Sequence, residues 1–152
     1  MTARAYPVRD SMAFSISEVQ EFDATLCNAT VEHEGHSLPV MLKADYASAS
    51  TLPPHFTAEL DFTSVVRYEA ELPIDDTQSG LFPTGDSAIT LVDGSIHNHV
   101  EIDPEHVLLD VYIQNGPEFI TLTSEDIGNT IPPVGTRIRA WVLGLTVYPT
   151  NT

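Results

Sequence analysis

Two histidines and two acids in the second half of the chain have the residue types and spacing of a metal site. His97, His99 and Glu101 alternate along one predicted strand, and the register derived below places Asp110 of the next strand beside His99. Two imidazoles at positions i and i+2 of a strand, with a carboxylate nearby, can bind zinc or a similar divalent ion. The interpretation we favour is plainer: the histidines supply polarity to an acidic surface, and no cofactor is bound.

Three turn signals fix the strands that carry these residues. Asp93-Gly94 and Asn115-Gly116 are typical of two-residue hairpins, and Asp103-Pro104-Glu105-His106 of a type I turn. The three registers agree about which side chains face inward, whereas a slip of one residue would exchange the two faces. They predict a four-strand meander over residues 87–123. The predicted pairs are Leu91 with Ile96, Val100 with Leu109, and Val111 with Ile120.

The first half of the chain predicts further strands. Met12, Phe14 and Ile16 alternate with small residues, but residues 17–23 fit either one helical turn or a continued strand. Glu34-Gly35 predicts a hairpin that pairs Val31 with Leu38, buries Cys27, and leaves His33 and His36 exposed at its tip.

The alternation from Phe56 to Leu72 is too long for one flat strand at ~3.3 Å per residue, so we expect a bend near Thr63-Ser64. The last strand, 135–148, is apolar on both faces, which is typical of a central strand. Arg137 and Arg139 at its start are expected to form salt bridges with the acid-rich sheet, in preference to a binding site.

Together these patterns predict an all-β protein, a β-sandwich or strongly bent barrel of about nine or ten mostly antiparallel strands with at most one short helical turn. An extended N-terminal arm (1–11) precedes a single β domain (12–148), and a tail (149–152) follows it. Within the domain, loop 73–85 joins strand groups 12–72 and 86–148.

The charge balance narrows the choice of partners. The chain has 22 acidic and 6 basic residues, a formal net charge of -16, and no basic residue between Tyr68 and Thr136. Such a field repels nucleic acid and anionic membranes, so neither is expected as a direct partner. Two interpretations stay open. In the first, the acidic residues serve only to keep the surface soluble, through like-charge repulsion or as an adaptation to a salty setting. In the second, they form a surface that docks against a basic protein.

The sequence shows no recognisable targeting signal or reaction motif. No apolar run of 18 residues and no leader pattern occur, so we expect a virion or cytoplasmic location without signal peptide or membrane span. The patterns G-x-S-x-G, H-E-x-x-H, CxxC and a glycine-rich phosphate loop are missing as well. We therefore expect a protein that is not an enzyme.

The functional expectation is a structural or interaction protein, most concretely a coat or decoration component of a virus-type particle, acting as a homo-oligomer or within a larger assembly. Arg4, Tyr6 and Arg9 of the arm are expected to anchor a neighbouring subunit. Leu81 and Phe82 form either a second contact or a segment that tucks back onto its own body. The alternatives are an acidic inhibitor or immunity-type protein that binds a basic partner, and a metal-binding β-barrel protein that uses the His97, His99 and Glu101 strand.

Overall fold

β-Strands account for most of the chain in the computed structural model, which describes residues 12–70, 79–113, 119–128 and 131–149. The all-β prediction is confirmed, with eleven strands, one helix and one 3₁₀ turn in those residues. The helix is α1 (Tyr46–Ser50), and the 3₁₀ turn spans Ser124–Ile127. The strands are β1 (Met12–Glu21), β2 (Cys27–His33), β3 (His36–Leu42), β4 (Phe56–Asp61), β5 (Ser64–Ala70), β6 (Gly80–Pro83), β7 (Ile89–Asp103), β8 (His106–Tyr112), β9 (Phe119–Thr123), β10 (Arg137–Leu143) and β11 (Thr146–Pro149).

Five strands close into a barrel in the order β1-β2-β3-β11-β4, with β4 pairing back to β1. All these pairs are antiparallel except β3 with β11, which is parallel. The side chains of alternate residues point inward along the strands, as the burial of Val31 and Ala29 on β2 and of Leu38 and Val40 on β3 illustrates.

The hairpin between β2 and β3 forms as predicted. Glu34 and Gly35 both adopt positive φ angles, of 51° and 81°, and Val31 pairs with Leu38. Cys27 is fully buried, and its burial raises the pKa of the thiol. His33 corrects the prediction of an exposed hairpin tip, because its ring is buried against Phe14, with the ring centroids 5.4 Å apart.

The predicted bend near Thr63-Ser64 is where the chain changes sheet. β4 belongs to the barrel, whereas β5 begins at Ser64 in the second sheet. The Thr63 amide donates to the carbonyl of Leu143, 2.8 Å away, at the point where β10 ends and the chain returns to the barrel.

The second sheet has the order β5-β10-β7-β8-β9, and β6 pairs with the first part of β7. The predicted last strand, 135–148, is divided in two: β10 lies between β5 and β7 in this sheet, as expected of a central strand, whereas β11 belongs to the barrel. Buried apolar side chains from both sheets form one cluster. Among the described residues, no helix is long and apolar enough to cross a bilayer.

The predicted hairpin at Asp93-Gly94 is wrong. β7 continues through both residues, so Leu91 and Ile96 lie on the same strand and do not face each other. The stretch pairs instead with β10, where Val92 lies opposite Ala140. Gly94 lies so close to β8 that an added Cβ would stand 2.3 Å from the carbonyl oxygen of Tyr112. A glycine in a strand permits such a close approach between backbones as readily as it permits a turn.

The turn at 103–106 is confirmed, but the register behind it shifts. β7 bulges between Glu101 and Asp103, so that Val100 pairs with Leu108 and not with Leu109, and it bulges again between Ile96 and Asn98. On the other edge of β8, Val111 pairs with Ile120 as predicted. The Asn115-Gly116 turn lies outside the described residues.

Candidate functional site

The predicted metal residues do not converge. His97 is exposed and stacks on Tyr112, with the ring centroids 3.8 Å apart, and Glu101 is exposed at the hairpin end. His99 Nε2 lies 2.7 Å from the carbonyl oxygen of Pro132, so this nitrogen carries the proton and donates. Because of the bulge between Glu101 and Asp103, Asp110 pairs with Asn98 and not with His99. No group of three or more potential ligands forms within the residues that the structure describes.

The polar face predicted for this meander is therefore interrupted. Asp110 is fully buried and accepts a hydrogen bond from the Thr121 hydroxyl, 3.2 Å away. Leu108, two residues before Asp110 on β8, is buried as well. The exposed part of the face is limited to His97 and Glu101 on β7, with His99 half-buried between them.

A buried ion cluster occupies the middle of the second sheet. The Arg137 Nε atom lies 3.0 Å from Oδ1 of Asp93, and the Arg139 Nε atom 3.1 Å from Oδ2. The Asp93 side chain is 4% exposed, against 11% for Arg137 and 32% for Arg139. The salt bridges predicted for the two arginines are thus confirmed, and they hold β7 to β10.

A second charged cluster joins the hairpin turn to the 3₁₀ turn. His106 Nδ1 lies 2.8 Å from Oδ1 of Asp103, and its Nε2 contacts the carboxylate of Glu125. The hydrogen bond with Asp103, and the negative charges of Asp103 and Glu125, raise the pKa of His106 above its ordinary value. The same hydrogen bond lowers the pKa of Asp103. Both side chains are substantially exposed, so solvent screens this cluster.

The residues predicted to contact a partner have separate outcomes. Arg4, Tyr6 and Arg9 lie outside the described residues. Leu81 is fully buried on β6, where its backbone pairs with Val92. Phe82 is half-buried and packs edge-on against His36, with 4.7 Å between the ring centroids. Leu81 thus tucks back into its own core, and only Phe82 retains some exposed surface.

Apolar side chains are exposed where β7 turns into β8. Ile102 lies in the bulge before the turn and is 48% exposed, and Ile131 is 51% exposed. Ile131 lines a shallow cavity with Pro104 and Val107, and the carboxylates of Glu105 and Glu125 lie at the same cavity. We call these residues, with Ile102, the hairpin-end surface. It combines apolar side chains with two carboxylates.

A groove that the sequence did not reveal lies on the outside of the barrel. It has a volume of about 430 Å³ and crosses β1, β2 and β3. A bulge at Ser17, between Ile16 and Glu18, creates its polar lining. Ile16 and Val19 pack against the core, so the bulge turns Glu18 and Gln20 outward, although unbroken alternation would point Glu18 inward.

The strand register arranges the groove in two rows of three residues. Glu18 pairs with Thr30 across the β1–β2 ladder, and Gln20 pairs with Asn28. Pro39 and Met41 of β3 continue the two rows on the far side. Polar side chains thus cover two strands and apolar side chains the third.

One wall of the groove comes from segments next to the second sheet. Ser87 and Ala88 precede β7, and Gly144 and Leu145 link β10 to β11. The Gly144 amide donates to the carbonyl of Ala88, 2.9 Å away, and the Met41 amide donates to that of Leu145, 3.0 Å away. Gly144 has a φ of 70°, and a Cβ there would stand 2.6 Å from the Thr63 hydroxyl. The wall is therefore fixed by backbone contacts.

The signal that could have revealed the groove is a break in alternation. Phe14 and Ile16 are two residues apart, but the next inward residue, Val19, is three residues further on. A strand that changes its spacing in this way contains a bulge.

Comparison of the chain with protein-family models, with curated proteins and with solved structures finds no match.

Proposed function

We propose that this protein is a non-enzymatic interaction protein that forms part of a larger protein assembly, most concretely a coat or decoration component of a virus-type particle. The observation that carries the proposal is the large excess of acidic over basic side chains on its described surface. Among the acids in the described residues, only Asp93 and Asp110 are buried. The other carboxylates reach the surface.

The basic side chains, in contrast, are largely used within the protein. Arg137 and Arg139 bind Asp93. Arg67 binds Glu69, 2.6 Å away, and its guanidinium lies 4.5 Å from the ring centroid of Trp141. Little positive charge is left on the described surface to balance the acids, so a partner with a basic surface would be attracted and oriented by this field.

The hairpin-end surface supplies the contact that such a partner would bury. Protein interfaces typically have an apolar centre and a polar rim. Ile102 and Ile131 provide exposed apolar area, while Glu105 and Glu125 provide acidic edges. The complementary surface is an apolar patch with basic edges. Arg4, Tyr6 and Arg9 of the arm are proposed to supply the second contact, on the acidic surface of a neighbouring subunit.

The test is the state of association of the protein, alone and in its native setting. Sedimentation velocity over a range of concentrations measures self-association, and quantitative mass spectrometry of particles from the producing cells measures incorporation. We expect a fixed stoichiometry in the particle. A chain that stays monomeric at every concentration and is missing from every particle fraction would overturn the proposal.

A matched pair of variants tests the contact surface. Ile131→Ser should reduce incorporation, because it removes apolar area from the hairpin-end surface. Val66→Ser is the control, since Val66 on β5 is also 51% exposed but is not among the residues of that surface. Equal incorporation of both variants would place the contact elsewhere.

The acidic surface equally favours a second candidate, an inhibitor or immunity-type protein that caps a basic enzyme. The two functions differ in stoichiometry and in salt dependence. A tight one-to-one complex with a basic protein, weakened strongly by added salt, would support the inhibitor. Incorporation in many copies per particle would support the assembly component.

A further inference from the structure

The groove over β1, β2 and β3 has a composition suited to a particular class of ligand. Its outward side chains are one carboxylate, Glu18, two carboxamides, Gln20 and Asn28, and the hydroxyl of Thr30. Carboxamides and hydroxyls both donate and accept hydrogen bonds, whereas the carboxylate only accepts. Ser87 adds a further hydroxyl from the wall. A ligand that fits this lining must itself offer several donors and acceptors.

The charge of the groove excludes anions as ligands. Lysine, arginine and histidine are all missing from the residues that line it, and Glu18 is its one charged side chain. The protein as a whole carries a formal charge of -16. A phosphate or carboxylate ligand would meet repulsion without a compensating cation.

The spacing of the polar groups matches a small ring with several hydroxyls. Residues two apart on a strand lie ~6.6 Å from each other, and directly opposed residues have Cβ atoms ~5 Å apart. Glu18, Gln20, Asn28 and Thr30 therefore form a small grid of hydrogen-bonding groups. Beside this grid, Pro39 and Met41 offer an apolar strip against which the C–H face of a sugar ring can pack.

The groove is also largely formed before any ligand arrives. Backbone hydrogen bonds hold its wall at Ala88 and Leu145, and the Ser17 hydroxyl donates to the carbonyl of Thr30, 3.1 Å away. A preformed site loses less conformational entropy on binding. Its volume of about 430 Å³ lies within the ~300–1,000 Å³ typical of small-molecule sites.

We propose that this groove is a binding site for a neutral saccharide of one or two sugar rings. The site goes beyond the assembly function proposed above and does not depend on it. On the surface of a particle, it would give the protein a means of contacting glycans.

The experiment is a titration of the isolated full-length chain, followed by two-dimensional amide NMR. The probes are glucose, galactose, N-acetylglucosamine and lactose, each at millimolar concentrations. We expect saturable shifts for at least one sugar, confined to amides around Gln20, Asn28 and Met41. If no sugar gives saturable shifts there, or if the shifts arise elsewhere on the surface, the proposal is overturned.

Charged analogues of one probe distinguish a saccharide site from a site for amines. Glucose 6-phosphate should bind more weakly than glucose, because Glu18 repels it. Glucosamine should bind at least as well as glucose. Binding of glucosamine alone, abolished by Glu18→Gln, would identify an amine site and overturn the proposal.

A variant in the centre of the groove completes the test. Asn28→Ala removes an exposed carboxamide and should weaken sugar binding about five- to tenfold, which corresponds to the loss of one hydrogen-bonding group. Ser37→Ala is the control, because Ser37 is also exposed but is not among the groove residues. Equal affinities for Asn28→Ala and the unaltered chain would contradict the assignment. Because the measurement uses the isolated chain, its failure leaves the assembly proposal standing.

Discussion

The barrel and the second sheet are held together by different forces. Inside the barrel the buried side chains are almost all apolar, among them Phe14, Leu38 and Leu42, and His33 is the polar exception. The second sheet buries several polar side chains, namely the carboxylates of Asp93 and Asp110 and the hydroxyl of Thr90. A closed barrel satisfies its backbone by closure, whereas the open sheet also uses ions to fix how its strands lie.

Because the barrel is packed with apolar side chains and the second sheet also contains buried ions, the two regions should respond differently to substitution. Apolar packing is non-directional and tolerates exchange between residues of similar volume. A buried ion cluster fails when one partner is lost, because the remaining charge is left without compensation. Trp141, the single tryptophan, lies on β10 beside this cluster, so its fluorescence reports on the second sheet.

The largest effect is expected for Asp93→Ala. Removing the carboxylate leaves the guanidinium groups of Arg137 and Arg139 close together, and should lower the free energy of unfolding by about 3–5 kcal/mol. Urea unfolding followed by the fluorescence of Trp141 measures it. Glu105→Ala, an exposed residue of the hairpin turn, is the control and should change little.

Replacing all three charged residues of the cluster tests whether uncompensated charge causes the loss of stability. A triple variant, Asp93→Leu with Arg137→Met and Arg139→Met, should recover most of the lost stability, since no charge then remains in this cluster. If the triple variant is as unstable as Asp93→Ala, the cluster is not the source of the loss.

In the barrel, Leu38→Ala should lower the free energy of unfolding by about 2–5 kcal/mol through lost burial and the cavity it leaves. Leu38→Met is the volume-conserving control, with an expected loss below about 1.5 kcal/mol. Thermal unfolding followed by circular dichroism measures both. Equal losses for the two variants would argue against close packing around Leu38, which the structure shows fully buried.

Gly94→Ala should follow, with a loss of about 1–3 kcal/mol, typical of overpacking. The added methyl group would meet the Tyr112 carbonyl, so β7 and β8 must move apart. Amide hydrogen exchange in β8 should quicken. Gly128→Ala is the comparison, because an added Cβ there meets nothing within 4 Å. Its positive φ shows the effect of backbone strain without a steric contact. Unchanged exchange in β8 would contradict the close approach.

The smallest effect belongs to His106, which is exposed. Its pKa is raised above 6.5, so its contribution to stability is complete below pH 6.5 and is lost as the pH rises through the folded-state pKa. His106→Gln should therefore remove a small decline of stability above pH 6.5. Chemical unfolding at several pH values measures it, with His55→Gln as the exposed control. An unchanged pH profile would show that the carboxylates do not affect this histidine.

Two glycine signals show how much of the fold the sequence could predict. Glu34-Gly35 and Asp93-Gly94 look alike locally, yet one forms a hairpin and the other lies in mid-strand. At Asp93-Gly94, residues distant in sequence determine the conformation. Arg137 and Arg139 bind Asp93, and β8 approaches Gly94. Local turn chemistry contains no information about either contact.

The candidate sites divide in the same way. The salt bridges of Arg137 and Arg139 follow from their charge and their position in an acidic chain, and they could be predicted. The separation of His99 from Asp110 could not, since the bulge between Glu101 and Asp103 shifts the register by one residue. The groove depends on the bulge at Ser17, and its position could not be predicted because residues 17–23 fit either one helical turn or a continued strand.

The place where the chain leaves and re-enters the barrel has a wider consequence. Thr63 and Gly144 are neighbours, joined through the bond from the Thr63 amide to Leu143. The chain leaves the barrel and returns to it at this one point, and the segment between, residues 64–143, has eighty residues. The buried side chains of this segment pack into the same core as those of the barrel. Any change to the segment must therefore preserve the apolar residues that face the barrel.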